Sequence, residues 1–224
     1  MPLLFLTHPD PAAAFAVWHA TEDEAYFREN TPLSVEELAE FEPLKGPRRI
    51  EWLAGRWLLH HISGSDVRLP LAKDAFSKPF FPDNKGLACS LSHSHGVVGA
   101  LLFHSAQTNC GCDIQVLVDK MPRLAYKFLR PEEAEFIGRY AIDEQFVLQH
   151  LFWTAKESLY KSYGLKALDF REHIRVLPFN WDGHRTIAGG LVDKGGALQR
   201  YRLFSALARP DNAPAFTWTV CLPD

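Results

Sequence analysis

The chain has 224 residues, 47% of them hydrophobic, which is enough to bury a substantial core in one large domain or two small ones. Its 24 Lys and Arg residues against 27 Asp and Glu residues give a formal charge of −3, so composition makes no general electrostatic case for binding nucleic acid or an anionic membrane. No stretch approaches the roughly 20 uninterrupted apolar residues of a membrane-spanning helix, and we expect a soluble protein.

The N-terminal segment MPLLFLTHPDPAAAF begins with apolar residues but has no basic residue before them, and two prolines interrupt it. We therefore interpret it as part of the mature protein and not as a signal peptide. The only close pair of cysteines has the spacing C-x-C, with no second pair to complete a zinc site. Free thiols in the cytoplasm are the expectation for the four cysteines, Cys89, Cys110, Cys112 and Cys221.

In the first half, two capping-box patterns that begin at Thr21 and Ser34 predict short helices. After Pro47, the segment RRIEWLAGRWLLHHI has apolar residues at three-to-four-residue spacing and is followed by Gly64, a helix stop. It predicts the first long amphipathic helix. Next, turn formers precede LACSLSHSHGVVGALLF, which predicts two strands joined at a His/Ser/Gly tip, and NCGCDIQVLV predicts a third.

In the second half, DEQFVLQHLFWTAKESLYKSY contains no Gly or Pro and ends at Gly164, which predicts a second long helix. Four strands follow in EHIRVLP, RTIAGGLV, RYRLFSAL and AFTWTVCL. This order of elements predicts an α+β fold, because a regular βαβ alternation is missing. Each half has one long helix and several strands, so we expect two similar subdomains, residues 1–108 and 109–224.

Two groups of polar residues stand out from this background. Alternation along the GCDIQ strand places Asp113 and Gln115 on one face, and a carboxylate in so apolar a strand is costly to bury unless it is paired or bound to metal. On the second long helix, Glu157 and Lys161 share one stripe with Trp153. Because Mg²⁺ prefers oxygen ligands and takes one or two protein carboxylates, Asp113 and Glu157 are candidate magnesium ligands.

Other interpretations of these residues stay open. Glu157 and Lys161 alone would be an ordinary surface ion pair, and His93 and His95 could be ordinary turn histidines. A zinc hydrolase could use His93, His95 and Asp113, since the two histidines would share a strand face. No third histidine motif accompanies them.

The segments GCDIQ and WTAKESLYKSYG resemble the two signature blocks of surfactin-type 4'-phosphopantetheinyl transferases, approximately G-[IV]-D-[IV]-E and W-x-x-K-E-[SA]-x-x-K-x-x-G. Three upstream pieces also fit: Arg56 in AGRWLL, the SKP of residues 77–79, and SLSHS with Ser92 and His93. The resemblance covers roughly residues 45–170, and five ordered blocks are far more specific than one. The matched signature positions are Gly111, Asp113, Ile114, Trp153, Lys156, Glu157, Ser158, Lys161 and Gly164.

The resemblance implies an enzyme of the holo-[acyl-carrier-protein] synthase type. It would move the phosphopantetheine arm of coenzyme A onto a serine of an apo acyl or peptidyl carrier protein, with Mg²⁺, and release adenosine 3',5'-bisphosphate. The family fold is a pseudodimer of two similar α+β halves with the active site in the cleft between them. By this resemblance residues 1–108 would bind coenzyme A, and residues 109–224 would carry the metal and catalytic residues. We expect a monomer.

The resemblance also implies roles for individual residues. The metal ligands would be Asp113, Gln115 and Glu157. Glu157 would also be the base, and Lys161 would contact the diphosphate beside Asp113. The coenzyme A residues would be Arg49, Arg56, Lys78, Pro79, Ser92, His93 and Lys161, with Lys45 and Arg48 as less secure candidates for the 3'-phosphate.

One position departs from the family pattern. Gln115 stands where many members have a glutamate, which removes one negative charge near the metal but keeps an oxygen donor. We expect a water to complete the metal shell. The departure leaves a second interpretation open, that of a degenerate relative which binds coenzyme A or a carrier protein without turnover.

Overall fold

The computed structural model describes residues 3–84, 86–105 and 109–224. The chain divides into two compact units, residues 1–108 and residues 109–224. Each unit contains an antiparallel sheet and one long helix packed against it. The structure therefore confirms an architecture that mixes helices and sheets. None of the helices in the described ranges is long and apolar enough to cross a membrane.

The first unit contains a four-stranded sheet in the order β1-β2-β6-β5 and a separate two-stranded ribbon of β3 and β4. A long helix, α3, packs against three strands of the larger sheet, and two short helices precede it in the chain. The elements in chain order are β1 Leu3–Asp10, β2 Ala13–His19, α1 Glu24–Asn30, α2 Val35–Phe41, α3 Pro47–Ser63, β3 Ala72–Lys73, β4 Pro79–Phe80, β5 Leu87–Ser94 and β6 Val97–His104.

The helices of the first unit begin close to where the sequence predicts. Ser34 caps α2, and its hydroxyl and the Glu37 carboxylate form a complete capping box. The predicted cap at Thr21 is wrong by two residues, because the Asp23 carboxylate accepts the hydrogen bond from Tyr26 N at 2.9 Å. The predicted first long helix is confirmed as α3, which ends at Gly64 in a left-handed conformation.

The hairpin of β1 and β2 was not predicted from the sequence. Its second strand reads AAFAVWH and is buried at every residue except the last. A strand buried on both faces has no alternation of polar and apolar residues, and alanine favours helices, so neither usual strand signal is present. This hairpin supplies two of the four strands of the first sheet.

The second unit contains a five-stranded antiparallel sheet in the order β7-β11-β10-β9-β8, and helix α6 packs against it. The four strands predicted near the C-terminus are confirmed, as is the long helix that ends at Gly164. Short helices α4 and α5 were not predicted. The elements are β7 Gly111–Val116, α4 Met121–Leu124, a 3-10 turn Ala125–Lys127, α5 Pro131–Ile137, α6 Ile142–Tyr163, β8 Ile174–Val176, β9 Arg185–Lys194, β10 Ala197–Ala208 and β11 Phe216–Pro223.

Strand β7 approaches helix α6 very closely. A Cβ atom added at Gly111 would lie 2.1 Å from the carbonyl oxygen of Ser158, which is backbone and cannot turn aside. The Ser158 hydroxyl donates to Thr219 O in the neighbouring strand at 3.1 Å, and the Thr154 and Thr219 hydroxyls are 3.0 Å apart. Small residues on both sides therefore let the helix lie directly on strands β7 and β11.

We expect Gly111→Ala to destabilise the protein by at least about 3 kcal/mol, because the new methyl group can be accommodated only by moving α6 away from β7. Gly138→Ala is the matched control, since its Cβ would meet nothing closer than 3.4 Å. That substitution should change stability by less than about 1 kcal/mol. Urea denaturation of both variants measures the difference, and equal stabilities would contradict the close approach.

Candidate functional site

Helix α6 brings Lys161 against Asp113 of β7. The Lys161 ammonium lies 2.8 Å from Asp113 Oδ1 and donates to the carbonyl of Cys112 at 2.9 Å. Asp113 is buried. Burial opposes the charge on Lys161, but the Asp113 carboxylate outweighs it and raises the pKa of the lysine above its usual value. The ion pair fixes the strand carboxylate beside the helix.

Glu157 lies one helical turn before Lys161. Burial raises the pKa of its carboxyl to about 7, and the charge of Asp113 adds to that effect while Lys161 opposes it. Glu157 makes no hydrogen bond or ion pair with any residue that the structure describes. The Lys161 ammonium thus pairs with Asp113 alone, and a proton or a cation would relieve the repulsion between the Asp113 and Glu157 carboxylates.

Gln115 follows Asp113 by two residues on strand β7. The two lie opposite Thr217 and Thr219 of β11, in a strand whose side chains alternate between faces. The Gln115 amide nitrogen donates to Val116 O at 2.9 Å, which fixes the amide plane. The remaining polar atom of the amide is an oxygen, the atom type that magnesium binds.

These oxygen donors suit a hard divalent cation. The described residues include no group of three or more His, Cys, Asp or Glu side chains placed to hold a metal ion. Magnesium needs only one or two protein carboxylates, with phosphates and water completing its shell, so Asp113, Glu157 and the Gln115 amide fit it. All four cysteines are buried, and none of them forms a disulfide.

A cavity of about 210 Å³ lies within the first unit. Four of the residues predicted to bind coenzyme A line this cavity, and they come from α3, the β3–β4 ribbon and β5. Two other predicted residues, Lys78 and Arg49, are not among the lining residues. The lining consists of Arg48, Glu51, Trp52, Gly55, Arg56, Lys73, Ser77, Pro79, Leu91, Ser92, His93 and Val98. A cavity of this volume is large enough to hold part of a larger ligand.

The two predicted arginines are engaged with acidic residues of the first unit. Arg49 forms a two-pronged ion pair with Glu24 at 2.7 and 2.8 Å, so it would have to leave this carboxylate to bind a phosphate fully. Arg56 is buried and pairs with Glu37 at 3.2 Å and Glu40 at 3.4 Å. Burial lowers the pKa of Arg56 to about 10, which still leaves it charged near neutral pH.

His93 and His95 do not share a strand face. Strand β5 ends at Ser94, and His95 lies in the following turn with a φ of 51°. Both ring nitrogens of His93 already have partners, Glu51 at 2.9 Å and Arg48 at 2.9 Å. The predicted shared face is therefore wrong, and with it the geometric reason for the zinc interpretation.

Sequence reasoning missed the role of Lys156 within the WTAKES segment. Its ammonium is fully buried, 2.6 Å from Glu133, and it donates to the carbonyls of Phe128 and Phe170. Glu133 also accepts from the backbone N–H of Val176 at 2.9 Å. Lys156 therefore stabilises the packing of α5 and β8 around α6. The sequence alone does not distinguish Lys156 from a functional lysine, because its partner Glu133 lies on another helix.

Sequence reasoning also missed Glu51, which touches His93. The sequence contains a weak signal that Glu51 belongs with the cavity residues. Glu51 lies three residues after Arg48 on α3, so both side chains lie on the same side of the helix. The partner, His93, is 42 residues further along the chain.

Residues 109–212 match the model of the 4'-phosphopantetheinyl transferase superfamily. The matched region contains β7, α6 and every residue of the second-unit site. The chain is also 34% identical over 126 residues to the 4'-phosphopantetheinyl transferase AcpT of Escherichia coli K12, and equally identical to the protein of that name from Salmonella typhimurium. The match covers 54% of this chain and 60% or 62% of those relatives. These comparisons support the superfamily for the second unit and leave the surfactin-type subfamily untested.

The raised pKa of Glu157 predicts a pH-dependent stability of the metal-free protein. A folded-state pKa of about 7, above the ordinary 4.5, means that stability is full below pH 4.5 and falls as pH rises through 7. Glu157→Gln removes this loss, so its stability relative to wild type should rise between pH 5 and 8 by up to about 3 kcal/mol.

The measurement is thermal or urea denaturation in the presence of a chelator at both pH values. Glu29→Gln removes an exposed carboxylate from α1 and is the matched control. A constant difference between Glu157→Gln and wild type across this pH range would show that Glu157 is not desolvated.

Proposed function

We propose that the chain is a surfactin-type 4'-phosphopantetheinyl transferase. It would transfer the phosphopantetheine arm of coenzyme A to a serine of an apo acyl or peptidyl carrier protein, with Mg²⁺. The observation that carries this proposal is the arrangement of Asp113, Lys161 and Glu157 within the region that matches the superfamily. The relatives' names support the transferase activity but not the surfactin type, and this chain spans less than two thirds of their length.

Asp113 and Glu157 would hold the metal, with Gln115 as an oxygen ligand from the same strand face. When bound, Mg²⁺ would neutralise charge on the diphosphate of coenzyme A. The ammonium of Lys161 is already next to Asp113, so a diphosphate at the metal would be within its reach. In that position it would stabilise the negative charge that accumulates as the bond to the leaving group breaks.

Glu157 would act as the base. The carrier serine hydroxyl is a weak nucleophile while neutral, and the Glu157 carboxylate would accept its proton as it attacks. The serine oxygen then forms a bond to the phosphorus that bears pantetheine. The bond from that phosphorus to the bridging oxygen breaks, and adenosine 3',5'-bisphosphate leaves with the electron pair.

The first-unit cavity would bind a phosphate-bearing part of coenzyme A. Ser92 offers a hydroxyl, His93 could offer a ring nitrogen once its contact with Arg48 is broken, and Arg56 brings a buried positive charge to the lining. Roles for Arg49, Lys45 and Arg48 in holding the 3'-phosphate, and for Lys78 in the coenzyme A pocket, stay predictions.

A repeated ion pair supports the proposal that the two units are similar halves. In each unit a buried glutamate from a short capped helix pairs with a cation on the long helix: Glu37 with Arg56, and Glu133 with Lys156. Arg56 and Lys156 lie the same number of residues before the glycine that ends each helix. The cleft that the resemblance implies stays a prediction.

The test is incubation of the protein with apo carrier protein, coenzyme A and Mg²⁺, followed by mass spectrometry of the carrier. We expect a gain of one phosphopantetheine arm, none when the carrier serine is replaced by alanine, and a rate at least about 100-fold lower for Glu157→Gln. Glu144→Gln, in the first turn of the same helix, should keep the wild-type rate.

A Glu157→Gln rate above about a tenth of wild type would contradict the role of this residue as base. Binding of coenzyme A without any transfer to a panel of acyl and peptidyl carriers would favour the degenerate relative instead.

A further inference from the structure

His93 is the middle member of a short hydrogen-bonded chain in the first-unit cavity. Its Nδ1 lies 2.9 Å from Glu51 Oε2, and its Nε2 lies 2.9 Å from Nη1 of Arg48. All three side chains line the cavity. An anion that enters the cavity therefore meets groups that already bind one another.

The protons of this chain can be assigned from the chemistry of its members. A guanidinium can only donate, so Nε2 of His93 accepts from Arg48. The ring proton is then on Nδ1, which donates it to Glu51. A neutral imidazole in this position has no N–H left to offer to a ligand.

Glu51 is itself held in place. Its second oxygen, Oε1, accepts a hydrogen bond from the backbone N–H of Gly96 at 3.0 Å, and its side chain is only 11% exposed. The hydrogen bond from His93 holds the pKa of the Glu51 carboxyl below its usual range. A fixed, ionised carboxylate at Nδ1 would stabilise a positively charged imidazole ring.

The cavity around His93 has an excess of positive charge. Outside the lining, Glu40 pairs with Lys73 at 2.6 Å and with Arg56 at 3.4 Å. Glu37 pairs with Arg56 at 3.2 Å, and Arg68 in turn pairs with Glu37. Together with the lining groups, these residues carry one more positive than negative charge. Strand β6 contributes only Val98, and the charged lining groups come from α3 and β3: Arg48, Glu51, Arg56 and Lys73. Such a lining favours an oxyanion, which could accept hydrogen bonds from Arg48 and from a protonated His93.

We infer that Glu51 is a positioning residue for His93, and that binding of an oxyanion in this cavity breaks the hydrogen bond between Arg48 and His93 and places a proton on His93 Nε2. The proton comes from solvent, and Glu51 remains ionised at Nδ1. That the anion is a phosphate group of coenzyme A rests on the proposed function, whereas the proton uptake rests on the hydrogen bonds alone.

Calorimetric titration at pH 8, in two buffers with different heats of ionisation and without divalent cations, counts the protons taken up on binding. The probes are sulfate, which does not titrate near this pH, and coenzyme A. We expect each to bind with uptake of about one proton per chain. His93→Gln should abolish the uptake.

Glu51→Gln removes the negative charge and keeps one oxygen, which can accept from His93 Nδ1, while its NH2 group replaces the oxygen that accepts from Gly96. We expect it to lose the proton uptake at pH 8 and to bind coenzyme A about tenfold more weakly there, a difference of about 1.4 kcal/mol. The loss should be smaller at pH 6, where protons are more abundant. Glu42→Gln, an exposed change in the same unit, should bind like wild type at both pH values.

The possible results of these titrations separate the inference about His93 from the proposed function. Coenzyme A binding without proton uptake, or an equal loss of affinity at pH 6 and pH 8 in Glu51→Gln, would overturn the inference while leaving the proposed function standing. Sulfate binding with uptake but no binding of coenzyme A would support the inference and contradict the proposed function. Binding of neither probe would overturn the inference as well.

Discussion

Strand β7 lies so close to helix α6 that position 111 has no room for a side chain, and this contact determines where the groups of the second-unit site lie. The Ser158 carbonyl occupies the place of a Cβ at Gly111. Two residues further along the strand, Asp113 meets Lys161, and Glu157 precedes Ser158 on the helix. The separation of the two carboxylates therefore depends on backbone packing, which is more rigid than a loop.

Lys156 and Glu157 are neighbours in the WTAKES segment, but they have different roles because their surroundings differ. Lys156 is fully buried and its ammonium is satisfied by Glu133 and carbonyl oxygens, so it stabilises the unit. The next residue, Glu157, has no hydrogen-bonding or ion-pair partner in the described part of the chain, and burial raises the pKa of its carboxyl to about 7. The paired charge of Lys156 therefore serves to stabilise the fold. The carboxyl of Glu157, which lacks such pairing, is suited to proton transfer or metal binding.

Local patterns predicted much of the fold and the second-unit site. Helix α6 and strand β7 have clear periodicity, and face alternation predicts that Asp113 and Gln115 share a strand face. The contact of Asp113 with Lys161 is known only from the structure. The uniformly buried strand β2 has no such pattern and was missed. The contact between Glu51 and His93 joins residues far apart in the chain, and periodicity within one element carries no information about such a pairing.

The proposed function requires that the carboxylates at the contact of β7 and α6 form one divalent cation site. Titration with Mn²⁺ in the presence of coenzyme A, followed by electron paramagnetic resonance, counts bound ions directly. We expect one ion per chain for wild type and for Glu144→Gln, and loss of binding in Asp113→Asn and in Glu157→Gln. Equal binding of Mn²⁺ by all four proteins would contradict the proposed site.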